Sequence, residues 1–204
     1  MWRVDVSSRL SAMALLAALA GPASWAQTPA TPQPVLTIRL EPARDAWWHR
    51  ATINPRATAV RGMPVKRFEP AWCAAEAFTR EFFGEDLLGQ ASGSPLEGLA
   101  FSLEGSFDGS GKVQTAFVGA YQRCGGERGL FIAITDSLTR RAGERSRMRF
   151  LVEVPEPGTA FAALALGPDG TLAVWWCGGC DKGHRIAYNR ESGGFYVAGP
   201  ATRR

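Results

Sequence analysis

The chain has 204 residues, with 23 Lys and Arg against 19 Asp and Glu and a formal charge of +4. That length supports one domain with a sizeable core and leaves little room for two. So small a positive balance excludes the electrostatic footprint of a nucleic-acid binder.

The first 26 residues read as a cleavable leader. Arg3 and Arg9 give a positive start, and Leu10 to Ala20 is an apolar run too short to span a bilayer, which needs about 20 residues. Gly21 and Pro22 break it, and Ser24 and Ala26 place small side chains where a signal peptidase requires them, so cleavage is expected before Gln27. The expectation is a periplasmic or secreted protein with no stable membrane span once the leader is removed. Residues 27–34 hold Pro29, Pro32 and Pro34 among polar and small residues and read as a flexible tether; residues 35–200 read as a single globular domain.

Within that domain Leu36, Ile38 and Leu40 alternate with Thr37 and Arg39, the period of a half-buried strand. Trp47, Trp48 and His49 follow between Pro42 and Pro55, and the tryptophans are expected to pack rather than to form a ligand platform. Trp72, Ala75, Phe78 and Phe82 then recur at three- and four-residue spacing ahead of Gly84, which predicts one amphipathic helix. From Leu99 on, eight strand-like runs are separated by Gly, Pro, Asp and Ser clusters at hairpin spacing, with Pro168-Asp169-Gly170 and Glu191-Ser192-Gly193-Gly194 the clearest turns. The basic run Arg140, Arg141, Arg145, Arg147 and Arg149 reads as a solvated hairpin tip. The expected fold is α+β: mostly antiparallel β, a curved sheet or meander of hairpins with one helix packed on it.

Gly105-Ser106-Phe107-Asp108-Gly109-Ser110-Gly111-Lys112, followed by Thr115 to Gly119, resembles the hairpin of FG-GAP or VCBS-type repeats. In such repeats a D-x-D-G-x-G loop closes two strands and holds calcium through carboxylates at alternate positions. Here those positions are Ser106, Asp108, Ser110 and Gln114, so Asp108 alone could ligate, against the six to eight oxygens that calcium takes. The resemblance implies a hairpin of that shape and no loaded cation site.

Four cysteines, Cys73, Cys124, Cys177 and Cys180, entering an oxidising compartment are expected to form disulfides, and three connectivities are open. A Cys73–Cys124 pair would be a structural brace and a Cys177–Cys180 pair a strained, labile one. Trp176-Cys177-Gly178-Gly179-Cys180 resembles the W-C-x-x-C site of thioredoxin-like oxidoreductases, which implies thiol-disulfide chemistry at Cys177. The 24 residues after Cys180 alternate like a hairpin and leave no room for the rest of that fold. Cys177, Cys180 and His184 also have zinc-ligand spacing, with Cys73 or Cys124 able to complete a tetrahedron, while Asp181 after the second cysteine excludes c-type haem attachment. With no Gly-x-Ser-x-Gly elbow and no H-E-x-x-H helix, hydrolase templates find no place. The function expected is a non-catalytic, cofactor-free binding or structural module of the cell envelope, its partner an envelope protein or ligand. A thiol-disulfide redox protein and a structural zinc domain are the alternatives.

Overall fold

The runs Gln114–Arg123 and Arg128–Asp136 show no alternation of polar and apolar side chains, a pattern that suits strands covered on both faces. The computed structural model describes residues 36–37, 54–83, 99–136, 147–155, 160–167, 169–176 and 182–202. It places these two runs at the centre of a sheet covered in that way. In chain order the strands are β1 (Leu36–Thr37), β2 (Ala59–Val60), β3 (Met63–Pro64), β4 (Trp72–Ala77), β5 (Ser102–Gly105), β6 (Gln114–Arg123), β7 (Arg128–Asp136), β8 (Met148–Pro155), β9 (Ala163–Leu166), β10 (Leu172–Trp175), β11 (Lys182–Asn189) and β12 (Gly194–Thr202). A 3-10 turn covers Val65–Arg67, and the single α-helix among the described residues, α1, is the four-residue turn Arg80–Phe83.

The larger sheet runs β1-β8-β7-β6, and the far edge of β6 is shared by two partners. β5 pairs with its first half, from Gly105↔Gln114 to Ser102↔Phe117, and β4 with its second half, from Ala77↔Gly119 to Trp72↔Arg123. Phe78 N–H to Val118 O and Val118 N–H to Phe101 O complete the ladder where the two partners meet. The smaller sheet runs β12-β11-β10-β9. Neighbouring strands are antiparallel throughout except β1, which lies parallel to β8. The sheets meet at one corner through reciprocal hydrogen bonds of Ala100 and Leu164, at 2.8 and 2.6 Å, and at another through the Phe150 and Phe195 rings, 5.9 Å apart.

Alternation along the strands sorts the side chains into two cores. Ala116, Val118, Leu130, Ile132, Ile134, Phe150, Val152 and Val154 face the smaller sheet and pack on Leu164, Leu172, Val174 and Ile186. Phe117, Tyr121, Phe131, Ala133 and Leu151 point the other way and are covered by Val60, Met63, Val65, Phe68, Trp72 and Ala75. The fold is therefore three layers: an N-terminal cap built from the β2–β3 hairpin and the 3-10 turn, the larger sheet, and the smaller sheet.

The predicted amphipathic helix is a strand. Trp72–Ala77 is β4, and its apparent helical period comes from a bulge: the register slips between Trp72 and Ala74, so Trp72 and Ala75 fall on one face although three residues apart. Both are completely buried in the cap-side core, whereas Phe78 packs in the inter-sheet core. The fold is accordingly β-rich with one helical turn, and the helical part of the α+β expectation is corrected. β4 can lie this close to β6 because Gly119 carries no side chain; a Cβ there would meet Glu76 O at 2.2 Å and the Phe131 ring at 2.7 Å. The leader (1–26), the Pro-rich segment (27–34), Trp47, Trp48, His49, Gly84, Cys177 and Cys180 lie outside the described residues.

Candidate functional site

Three loops converge at one end of the smaller sheet and border an open cleft of about 290 Å³, just under the lower end of the usual size of ligand pockets, about 300 Å³. One wall is the β5–β6 hairpin loop at Ser106–Gly109, the second is the β9–β10 turn at Asp169–Gly170, and the third is the end of β11 with Tyr188 and Arg190. Leu172, Ile186 and Ala187 form an apolar floor.

Local hydrogen bonding holds each wall in shape. In the hairpin loop Asp108 Oδ1 accepts from Ser110 N at 2.9 Å, Ser106 Oγ accepts from Gly111 N at 2.8 Å, and Gln114 Oε1 accepts from Asp108 N at 3.2 Å. These side-chain oxygens bind backbone donors as in Asx and ST turns. Asp108 Oδ2 faces Arg149 Nη2 at 3.6 Å, and Arg149 Nη1 faces Asp136 Oδ2 at 3.8 Å. Burial alone would raise the Asp108 carboxyl, but the Ser110 and Gln114 hydrogen bonds and the Arg149 charge outweigh it and hold the group below its ordinary 3.8. The positive charge facing Asp108 is thus a guanidinium, and Arg149, expected on a solvated tip, is drawn into a carboxylate cluster.

In the second wall Asp169 Oδ1 accepts from Thr171 N at 3.0 Å, which lowers the Asp169 carboxyl while leaving it exposed. In the third wall Asn189 Oδ1 accepts from Glu191 N and Ser192 N, fixing the turn that carries Arg190. The Arg190 guanidinium passes over Gly109, where a Cβ would stand 3.3 Å from Nη2, and Arg190 makes no ion pair among the described residues. The cleft therefore offers one exposed carboxylate and one guanidinium above an apolar floor, with its second carboxylate, Asp108, already neutralised.

A second polar cluster lies in the cap-side core. Glu153 is 2 % exposed and accepts from Trp72 Nε1 and from Arg123 Nη2. Trp72 stacks on Tyr121 with ring centroids 4.7 Å apart. Burial, reinforced by the Glu153 charge, pushes the Tyr121 phenol up to about 12, and hydrogen bonding to Glu153 raises the Arg123 guanidinium further. Cys73 and Cys124, each next in sequence to one of the two donors, are joined by a disulfide with Cα atoms 4.8 Å apart. Lys66 Nζ lies 3.2 Å from Cys124 Sγ and 4.0 Å from Cys73 Sγ and donates to Pro70 O at 2.8 Å.

His184 sits on β11, half-buried, with Trp176 Nε1–H donating to its Nδ1 at 3.1 Å. Burial lowers its pKa below the ordinary 6.5. Of the residues singled out from the sequence, Asp108, Cys73, Cys124 and His184 are placed. Asp108 lines the cleft, the Cys73–Cys124 bond lies by the cap-side core, and His184 lies at the Trp176 end of the smaller sheet. Among the described residues no three His, Cys, Asp or Glu side chains gather as a metal would need. Sequence reasoning missed Glu153, Arg123, Arg149 and Arg190. A signal existed for the first: a single carboxylate inside the apolar run Phe150-Leu151-Val152-Glu153-Val154 demands a buried partner. The chain matches no family model, no curated protein and no solved structure.

Proposed function

We propose that the protein is an exported, non-catalytic binding module of the cell envelope and that its ligand seat is the cleft between the β5–β6 loop, the β9–β10 turn and the end of β11. The leader at residues 1–26 supports export to the periplasm or beyond it. The observation that carries the binding reading is the charge arrangement of the cleft, with exposed Asp169 and Arg190, which has no ion pair among the described residues, on separate walls above Leu172, Ile186 and Ala187. Walls of opposite charge complement a ligand that carries both charges, and an apolar floor of this size takes a short aliphatic stem. The ligand class is a zwitterion of amino-acid to dipeptide size. In this reading the β5–β6 hairpin is an FG-GAP or VCBS-like loop whose calcium ligands have given way to Ser106, Ser110 and the Asp108–Arg149 pair.

Backbone NMR of the mature chain titrated with alanyl-alanine tests the proposal. Shifts confined to residues 106–109, 169–172 and 186–190, reduced in D169N and R190Q and absent with the N-acetylated, C-amidated dipeptide, are the expected result. Equal shifts with the capped dipeptide, or none in these segments with either, would overturn it.

A further inference from the structure

We infer that the Cys73–Cys124 disulfide is a thiol-exchange site, attacked at Cys73 by an external thiolate and opened with Cys124 as the leaving group. Both cysteines are exposed, so a thiol reaches the bond without unfolding the chain. The two sulfurs are not equivalent. Lys66 Nζ lies 0.8 Å nearer to Cys124 Sγ (3.2 against 4.0 Å), and Pro70 O, at 2.8 Å from the same ammonium, holds it in place. A cation beside a sulfur favours its thiolate, and the sulfur better able to carry negative charge is the one that departs.

The first step forms a bond from the attacking sulfur to Cys73 Sγ as the Cys73–Cys124 bond breaks, and the electron pair leaves on Cys124 Sγ as a thiolate beside Lys66. With a monothiol such as glutathione the product is a mixed disulfide on Cys73. With a dithiol the reductant's second thiolate attacks its own bound sulfur, expels Cys73 as a thiolate and leaves as a cyclic disulfide. The reductant thereby loses two electrons and the protein gains two.

The consequence reaches the cap-side core through chain connectivity. Cys73 occupies the β4 bulge next to Trp72, and Cys124 follows Arg123 at the end of β6; Trp72 and Arg123 are the two donors that hold buried Glu153. Opening the bond removes the covalent tie between these donors, so the oxidation state of an exposed bond is transmitted to a buried carboxylate.

The test uses the full exported chain under native conditions, with glutathione and dithiothreitol as the thiols and peptide mapping that resolves Cys73 from Cys124. The expected results are a glutathione adduct on Cys73, a reduction rate proportional to dithiothreitol concentration, and a rate roughly threefold or more lower in K66Q that K66R restores. Tryptophan emission should change with the appearance of the Cys73 and Cys124 thiols. An adduct mainly on Cys124, an unchanged rate in K66Q, or a rate independent of thiol concentration, which marks unfolding as the gate, would each overturn the inference. The mapping is made on the wild-type chain, so it stands whether or not the Lys66 variants fold.

Discussion

Trp72 and Arg123 are cross-strand partners on β4 and β6, and both donate to the carboxylate of Glu153 on β8, two strands away from β6. One buried charge thus ties three strands of the larger sheet together on its cap-side face. Its two ion-pair members are unequal: the Arg123 side chain is 35 % exposed and that of Glu153 is 3 % exposed.

The inequality predicts an asymmetric pair of variants. R123M strands a buried carboxylate with one remaining donor and should cost about 3 kcal/mol or more, because an unpaired buried charge carries its full desolvation penalty. E153Q leaves Arg123 able to reach water and keeps an acceptor for Trp72 Nε1, so it should cost about 1–2 kcal/mol. Urea denaturation followed by tryptophan emission measures both, and equal costs would contradict a buried anion as the centre of the cluster.

Gly119→Ala is expected to cost about 3 kcal/mol or more. The added Cβ would stand 2.2 Å from the Glu76 carbonyl oxygen, which is backbone in the neighbouring strand and has no rotamer to move away. The same substitution at Gly125, with nothing within 4 Å of the new Cβ, should cost well under 1 kcal/mol. Thermal unfolding of the two variants side by side separates the steric effect from a general preference for glycine.

These costs arise where the sequence is hardest to read. The strands from β5 onward were legible because their turns are chemically explicit, Asp169-Gly170 and Asn189 to Gly194 among them, and because β6, β7 and β8 are largely apolar. β4 was illegible because a one-residue bulge at Cys73 converts a period of two into a spacing of three, which imitates a helix face at Trp72 and Ala75. The cleft could not be read at all, since its walls come from residues 106–109, 169–172 and 186–190, joined only by the pairing of strands. Arg149 pairs with Asp108 across 41 positions, and nothing in either local sequence announces the other.

Removing the disulfide in C73S/C124S should lower stability by about 4 kcal/mol, the loop-closure value for a separation of this length, the cysteines being 51 positions apart. Because the β4–β6 ladder is paired from Ala74 to Ala77 without the disulfide, the variant should fold to the same strand register. Equilibrium unfolding gives the first quantity and amide exchange across β4 and β6 the second. Loss of protection confined to β4 is the pattern expected for a tether on the β4 bulge.

The Asp108 loop should weaken in acid. Its carboxyl is held below 3.8 in the folded chain, so the stabilisation is fully present above that value and is lost as the pH falls through the lower folded value. R149Q removes the charge that helps to lower it and should move the loss to higher pH, toward 3.8. Carboxyl NMR titration of Asp108 in the two chains reads the shift directly, and no movement would mean that the loop's hydrogen bonds to Ser110 and Gln114 set the value alone.

His184 gives the corresponding test nearer neutrality. Burial favours its neutral form in the folded state, so its contribution to stability is present above 6.5 and declines as the pH falls below that value toward the lower folded pKa. The geometry agrees with the sign, because Nδ1 already accepts a hydrogen bond from Trp176 Nε1–H at 3.1 Å and a protonated ring would set two donors against each other. The wild-type melting temperature should therefore drop between pH 7 and 5. H184Q, which can still accept from Trp176 through its side-chain carbonyl but cannot titrate, should show a shallower drop. An imidazole midpoint at 6.5 by NMR would make the pH dependence of the two chains coincide, and one above 6.5 would reverse the sign of their difference; either contradicts burial of the neutral ring.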